Sequence, residues 1–259
     1  MSLIIPAVPQ VKDFLIEVGK GNVPGHTVSA VIGRNTAVSS TLTEDVWGGG
    51  GNMVLPTSAE SWEIVSTSVN DTSAGTGART VLITTLDDNY VAQTPVEVTL
   101  NGTTPVAITG THFRPHHLAS TSGLFVLTAG SSESNVGDIV VRVASAGATR
   151  MTCKIGIGKS EDSQVTVPAG FTIFALLVLI TWPRNESGEV SGSIKPFGTD
   201  TARISSGQIH TYQSAFNLVF QAKFELAEKS EFVFRAKSFN DAVEVTTIQE
   251  LLVVDNNFL

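Results

Sequence analysis

Residues Arg79–Thr109, RTVLITTLDDNYVAQTPVEVTLNGTTPVAIT, decide the fold class. Three short runs rich in Val, Ile, Leu and Thr stand between turn clusters. In RTVLITT (79–85) apolar and polar residues alternate, the period of a half-buried strand whose successive side chains point to opposite faces. Leu86–Asn89 (LDDN) turns the chain, because Asp and Asn bond to their own backbone and tolerate positive φ. VAQTPVEVTL (91–100) is the next strand. Asn101-Gly102 before Thr104–Thr109 is the strongest short hairpin signal and predicts that these two strands pair.

The same alternation of strand and turn extends in both directions. Ser61–Val69 (SWEIVSTSV) alternates, and Asn70–Ala78 (NDTSAGTGA) is a turn cluster. Gly123–Leu127, Gly137–Ala144 and Thr149–Ile157 continue the series. Lys159–Ser163 (KSEDS) is a polar break that marks a domain boundary. Beyond it, Gln164–Val167, Phe171–Trp182, Val190–Pro196, Gln208–Tyr212, Ser214–Leu226, Glu231–Ala236 and Val243–Val254 read as strands. Phe220 and Phe224, like Phe232 and Phe234, recur along one face, as core aromatics do. The run FTIFALLVLITW (171–182) is too short to span a bilayer, which needs about 20 residues. It is apolar at both parities, so Phe171, Phe174, Leu176, Val178 and Ile180 are expected in a strand covered on both faces.

The expected architecture is all-β: two antiparallel β-sandwich (jelly-roll-like) domains, 41–160 and 164–259, behind an N-terminal arm, 1–40, with helix confined to about 9–20. The arm carries Leu3, Ile4, Ile5, Val8, Val11, Phe14, Leu15, Ile16 and Val18, broken by Pro6, Pro9, Gly19 and Gly21. It has too little core of its own, so it lies on a partner surface or forms an edge strand of the first domain. Gly48–Gly51 (GGGG) permits a linker or hinge, and a wide turn at a domain entrance suits the flanking Trp47 and MVLP best.

Composition agrees. Hydrophobic residues make up 42% and charged residues 15%, well under the roughly 25% of ordinary soluble domains. Thr and Ser take that share, which suits half-exposed strands rather than long amphipathic helices. A net charge of −8 with scattered basic residues argues against a nucleic-acid surface, which needs clustered Lys and Arg. One cysteine, Cys153, excludes an internal disulfide. The N-terminus has no basic region before its apolar stretch, which argues against a signal peptide.

Signs of catalysis are missing. His112, His116 and His117 (THFRPHHL) are close in sequence, but Pro115 opposes a shared helix face and no acidic or Cys ligand stands beside them. Exposed imidazoles at a loop or strand end are expected there. The carboxylate pairs Glu44-Asp45 and Glu161-Asp162 read as solvated loop residues. Asp87, Asp88 and Asn89 read as a turn rather than a calcium loop. Cys153 sits in an alternating strand and is expected to be buried and inert. No nucleophile elbow or phosphate-binding loop occurs. The expectation is no enzyme, no catalytic, cofactor or metal residues, and no membrane insertion.

The segments GNVPGH (21–26), EDVWGGGG (44–51), NDTSAGTGARTV (70–81), VTLNGTTPV (98–106), TVPAGFT (166–172) and EKSEFVFRAKS (228–238) resemble those of virion proteins of tailed bacteriophages, especially of aquatic bacteria. They are turn and strand motifs spread from about residue 21 to the C-terminus. The resemblance implies a particle component made in the host cytoplasm: a head decoration, a neck or tail accessory, or a fibre. The unanchored arm points to a homo-oligomer whose residues 1–40 contact neighbours, for which the resemblance implies a trimer; the Gly/Ser/Thr-rich loops 70–78 and 129–137 motivate the alternative, receptor binding to a host glycan or protein.

Overall fold

The computed structural model describes residues 13–119, 123–183, 186–199, 204–211 and 215–259. The chain is all-β, built of small antiparallel sheets. After one short helix, α1 (Phe14–Gly19), come β1 (His26–Val38) and β2 (Glu44–Asp45). Next are β3 (Trp62–Ser66), β4 (Ala78–Ile83), β5 (Thr85–Leu86), β6 (Val96–Thr99), β7 (Val106–Ala107), β8 (Arg114–Pro115), β9 (Leu124–Ala129), β10 (Ile139–Val143) and β11 (Thr149–Cys153). The series ends with β12 (Val165–Thr166), β13 (Phe171–Thr181), β14 (Gly188–Lys195), β15 (Ile204–Thr211), β16 (Ala215–Leu226), β17 (Glu231–Ser238) and β18 (Val243–Asp255). No described helix is long and apolar enough to cross a membrane.

Two cores organise these strands. Sheets β1-β18-β13-β16 and β12-β17-β14-β15, the latter extended by β2 on β17, both contribute to one apolar cluster. Phe224, Phe232 and Phe234 lie together in it, with Phe232 and Phe234 edge-to-face at 4.8 Å, as their spacing predicted; the side chain of Phe220 lies outside the described residues. Sheets β11-β10-β3-β7 and β6-β4-β9 share the second cluster, centred on Trp62, Ile64, Leu124, Ile139 and Met151. The chain therefore leaves the first set after β2, builds the second, and returns at β12.

That path corrects the expected arm. Residues 1–12, with Leu3, Ile4, Ile5, Val8 and Val11, lie outside the described residues. Residues 26–38 are neither an arm nor an edge strand of the first domain: β1 pairs with β18 from His26↔Val254 to Val38↔Val243. Its inward positions are Val31, Gly33, Asn35 and Val38, only two of them apolar, which hides the strand period. Asn35 donates to the Asp45 carbonyl at 3.2 Å, and a Cβ on Gly33 would fall 2.4 Å from that of Ser163.

The run 171–181 is a strand, but only Val178 and Ile180 of its five expected core residues are fully buried. Phe171, Phe174 and Leu176 are half-buried. The register slips between Ala175 and Leu177 against both neighbouring strands. This bulge moves the inward set from Ile173 and Ala175 to Val178 and Ile180. Phe174 and Leu176 instead meet Val18 of α1 with Leu252 and Val254 on the other face. The expected Asn101-Gly102 hairpin does not form: β6 pairs with β4, and β7 with β3. Gly102 has φ +59, but Asn101 is not left-handed, and a two-residue type I′ turn needs positive φ at both positions.

Gly48–Gly51 is a turn at the crossing between the two sets. Gly50 and Gly51 adopt φ +70 and +64. The Trp47 indole donates to the Gly51 carbonyl at 3.1 Å, and its ring closes over Gly49, where a Cβ would clash.

Candidate functional site

The three histidines are not exposed. His112 stacks on Trp62 at 5.1 Å, and its Nδ1 lies 3.0 Å from Thr85 Oγ1 and 3.1 Å from Gln93 Oε1. His117 is buried, with Nε2 3.8 Å from Oδ2 of buried Asp162. Neither atom has a hydrogen-bond partner among the described residues. Burial pushes His116 down to about 4, His117 to about 3 and Asp162 up to about 7, and it lowers His112 as well. The reason is segment 112–117, whose strand β8 pairs with β5 against the inside of the molecule. Among the described residues no three ligand-type side chains converge on a metal position.

The acidic pairs are not simply solvated either. Asp45 is buried, accepts from Met53 N at 2.8 Å and faces Arg235 at 3.3 Å. Asp87 Oδ1 accepts from the backbone of Asn89 and Val91, both at 2.9 Å, as a turn residue does. Burial raises the Cys153 thiol to about 12, so it stays protonated at neutral pH.

What does gather exposed chemistry is a cleft of ≈ 270 Å³ where the two sets of sheets meet. Tyr90 and Phe113 enter from one side, and the turns 195–199 and 229–231 from the other. Tyr90 closes the LDDN turn in the left-handed region, φ +66, and its carbonyl accepts from Ala169 N at 2.9 Å. Phe113 and Phe197 meet its ring edge-on at 5.3 and 5.6 Å. Burial raises the phenol above its ordinary range. Phe197 itself is 58% exposed. Lys229, held at φ +61 by its turn, sets Nζ 5.0 Å above the Phe197 ring.

Arg114 forms the floor. It donates to Glu231 Oε1 from Nε at 2.7 Å and approaches it from Nη2 at 2.6 Å. Its Nη1 donates to the carbonyls of Pro56, at 2.7 Å, and Phe113, at 3.0 Å. Both partners of this ion pair are buried. Glu231 Oε1 thus takes both guanidinium contacts, and its buried Oε2 has no partner among the described residues. Arg114, Lys195 and Lys229 face one carboxylate around the cleft, a positive spot on a chain of net charge −8. The sequence reading singled out none of these residues. The available signal was Phe197 between Pro196 and Gly198, an aromatic placed in a turn where no core can take it.

No family model matches the chain, and no curated protein does. Among solved structures, the infectious bursal disease virus VP2 subviral particle aligns over 90% of this chain and 73% of that one. It does so with 10% identity and a TM-score of 0.18, too distant a likeness to carry any argument.

Proposed function

We propose that this protein is a structural component of a bacteriophage particle that acts by assembly rather than catalysis. The observation that carries the reading is α1. Its Val18 packs on the sheet, while Phe14, Leu15 and Ile16 are 44, 41 and 57% exposed. Three consecutive apolar side chains of this six-residue helix thus form an exposed patch that water does not favour. The neighbouring β1 is a sheet edge with exposed Val28, and edge strands invite pairing with another chain. Closed symmetry would cover both features, and a trimer is the expected state.

The strand order supports a jelly roll for the first set. Taking β1 and β12 to β18 as strands one to eight, the sheets run 1-8-3-6 and 2-7-4-5. Double-sheet jelly rolls of eight strands are common in viral capsid and lectin domains. A propeller would draw each blade from consecutive strands, whereas each of these sheets mixes strands distant in sequence. Fold analogy does not by itself set a role, so the test addresses assembly. Deleting residues 1–20 would also strip Val18 from its sheet, so Phe14, Leu15 and Ile16 are better replaced together by Ser. Light scattering should find a wild-type trimer and a folded, monomeric variant. A wild-type protein that stays monomeric at about 100 μM, well above the Kd of a stable assembly, would sink the proposal.

A second reading, a receptor-binding adhesin, draws its support from the cleft rather than from loops 70–78 and 129–137. Those loops bind each other, with Gly130 N donating to Gly77 O at 2.7 Å and Ser132 Oγ to Thr76 O at 2.5 Å. Purified protein should then compete with particles for host cells.

A further inference from the structure

We propose that the cleft between the two sets of sheets binds an acidic sugar, a single ring bearing a carboxylate. The inference rests on the receptor reading and names its ligand. Three features of the cleft converge on one chemistry. The first is apolar: Tyr90 and the exposed Phe197 offer ring faces and edges, against which the C–H face of a sugar packs. The second is charge: Lys195 and Lys229 stand at the turn side of the cleft, each free to neutralise an anionic group. The third is Glu231 Oε2, a buried acceptor with no donor among the described residues. Leaving such an atom unpaired is costly, and a ligand hydroxyl relieves it.

These three demands exclude simpler ligands. A bare anion such as phosphate satisfies the lysines but meets Glu231 with a like charge. A purely apolar group leaves Glu231 unpaired, and a neutral sugar leaves the lysines idle. A ring with hydroxyl donors on one edge, an apolar face and a carboxylate on the other edge satisfies all of them. The volume of ≈ 270 Å³ falls just below the roughly 300 Å³ at which sites for larger ligands begin, so one ring fits rather than a chain.

Saturation-transfer NMR and calorimetry on the full chain test this with glucuronate, galacturonate and N-acetylneuraminate, and with glucose as the neutral control. At least one acidic sugar should bind with a Kd of about 1 mM, weakening with salt, and glucose about tenfold more weakly or not at all. Phe197→Ala and Lys229→Asn should each lose about tenfold in affinity with an unchanged melting temperature. The first removes an exposed side chain, and Asn tolerates the left-handed backbone at 229. Equal binding of glucose, no binding of any acidic sugar, or full affinity in both variants would overturn the site. Sugar binding that is intact while the protein fails to compete for host cells would overturn the receptor role alone and leave the site standing.

Discussion

Asp71 shows how a loop rich in glycine and serine becomes rigid. Its Oδ1 accepts from Ala78 N at 2.8 Å and Val136 N at 3.0 Å. Its Oδ2 accepts from Ser66 Oγ at 2.6 Å and Gly137 N at 2.9 Å. A Cβ on Gly77 would come within 2.1 Å of this carboxylate, so only glycine lets it sit there. Asp71→Ala strands four donors, three of them buried, and should cost about 3 kcal/mol or more in urea denaturation. Arg114 and Glu231 are a second test at this scale. Arg114→Met alone leaves a buried carboxylate uncompensated and should cost about 3–5 kcal/mol. Arg114→Met with Glu231→Leu should recover most of that loss, because desolvating the pair offsets much of its attraction. In sequence Asp71 reads as one more turn residue; its burial depends on Ser66, Val136 and Gly137, up to 66 positions away.

At the scale of an element, β13 was legible as a strand and misread in its facing. Its composition is apolar at both parities, so no alternation marks the bulge after Ala175. The bulge turns Val178 inward, 2% exposed, and leaves Leu177 and Leu179 half-buried. Val178→Asp should therefore cost about 4 kcal/mol or more and unfold its part of the chain, while Leu177→Asp costs distinctly less. Circular dichroism melts of the two variants separate these outcomes. Equal losses would mean that no bulge exists. The Asn101-Gly102 turn fails as a hairpin for a related reason. Trp62 O accepts from Ile108 N at 2.9 Å, and β3 captures the segment that its sequence neighbour β6 was expected to hold.

For the whole molecule, pH dependence follows from the buried histidines and Asp162. A histidine whose folded pKa is depressed contributes stability above its unfolded value near 6.5, and that contribution is lost as pH falls. Here the losses for His116 and His117 run down to about 4 and about 3, and His112 adds the same sign. Asp162 works the other way: raised by burial to about 7, it contributes stability at low pH that fades as pH rises from about 4 to about 7. Between about pH 4 and 6.5 the unfolded chain takes up more protons at the histidines than the folded chain holds at Asp162. Stability should therefore rise with pH across this window and level off above about 7. Asp162→Asn removes the opposing contribution and should steepen the rise, as read from melting temperatures at a series of pH values.

The sequence by itself determined the all-β class and most of the strands between 61 and 254, because alternation, β-branched residues and turn chemistry act within a few residues. That Val190–Pro196 and Glu231–Ala236 form strands follows from that local pattern alone. Only the tertiary structure decided which strands share a sheet, that 26–38 closes on 243–254, and that His117 faces Asp162 in the interior. The cleft belongs to the same class. Tyr90, Phe197, Lys229 and Glu231 come from turns and strand ends up to 141 positions apart, and no local period encodes which turns meet. Side-chain period is a property of one strand, whereas pairing and convergence depend on how distant strands bury their apolar faces together.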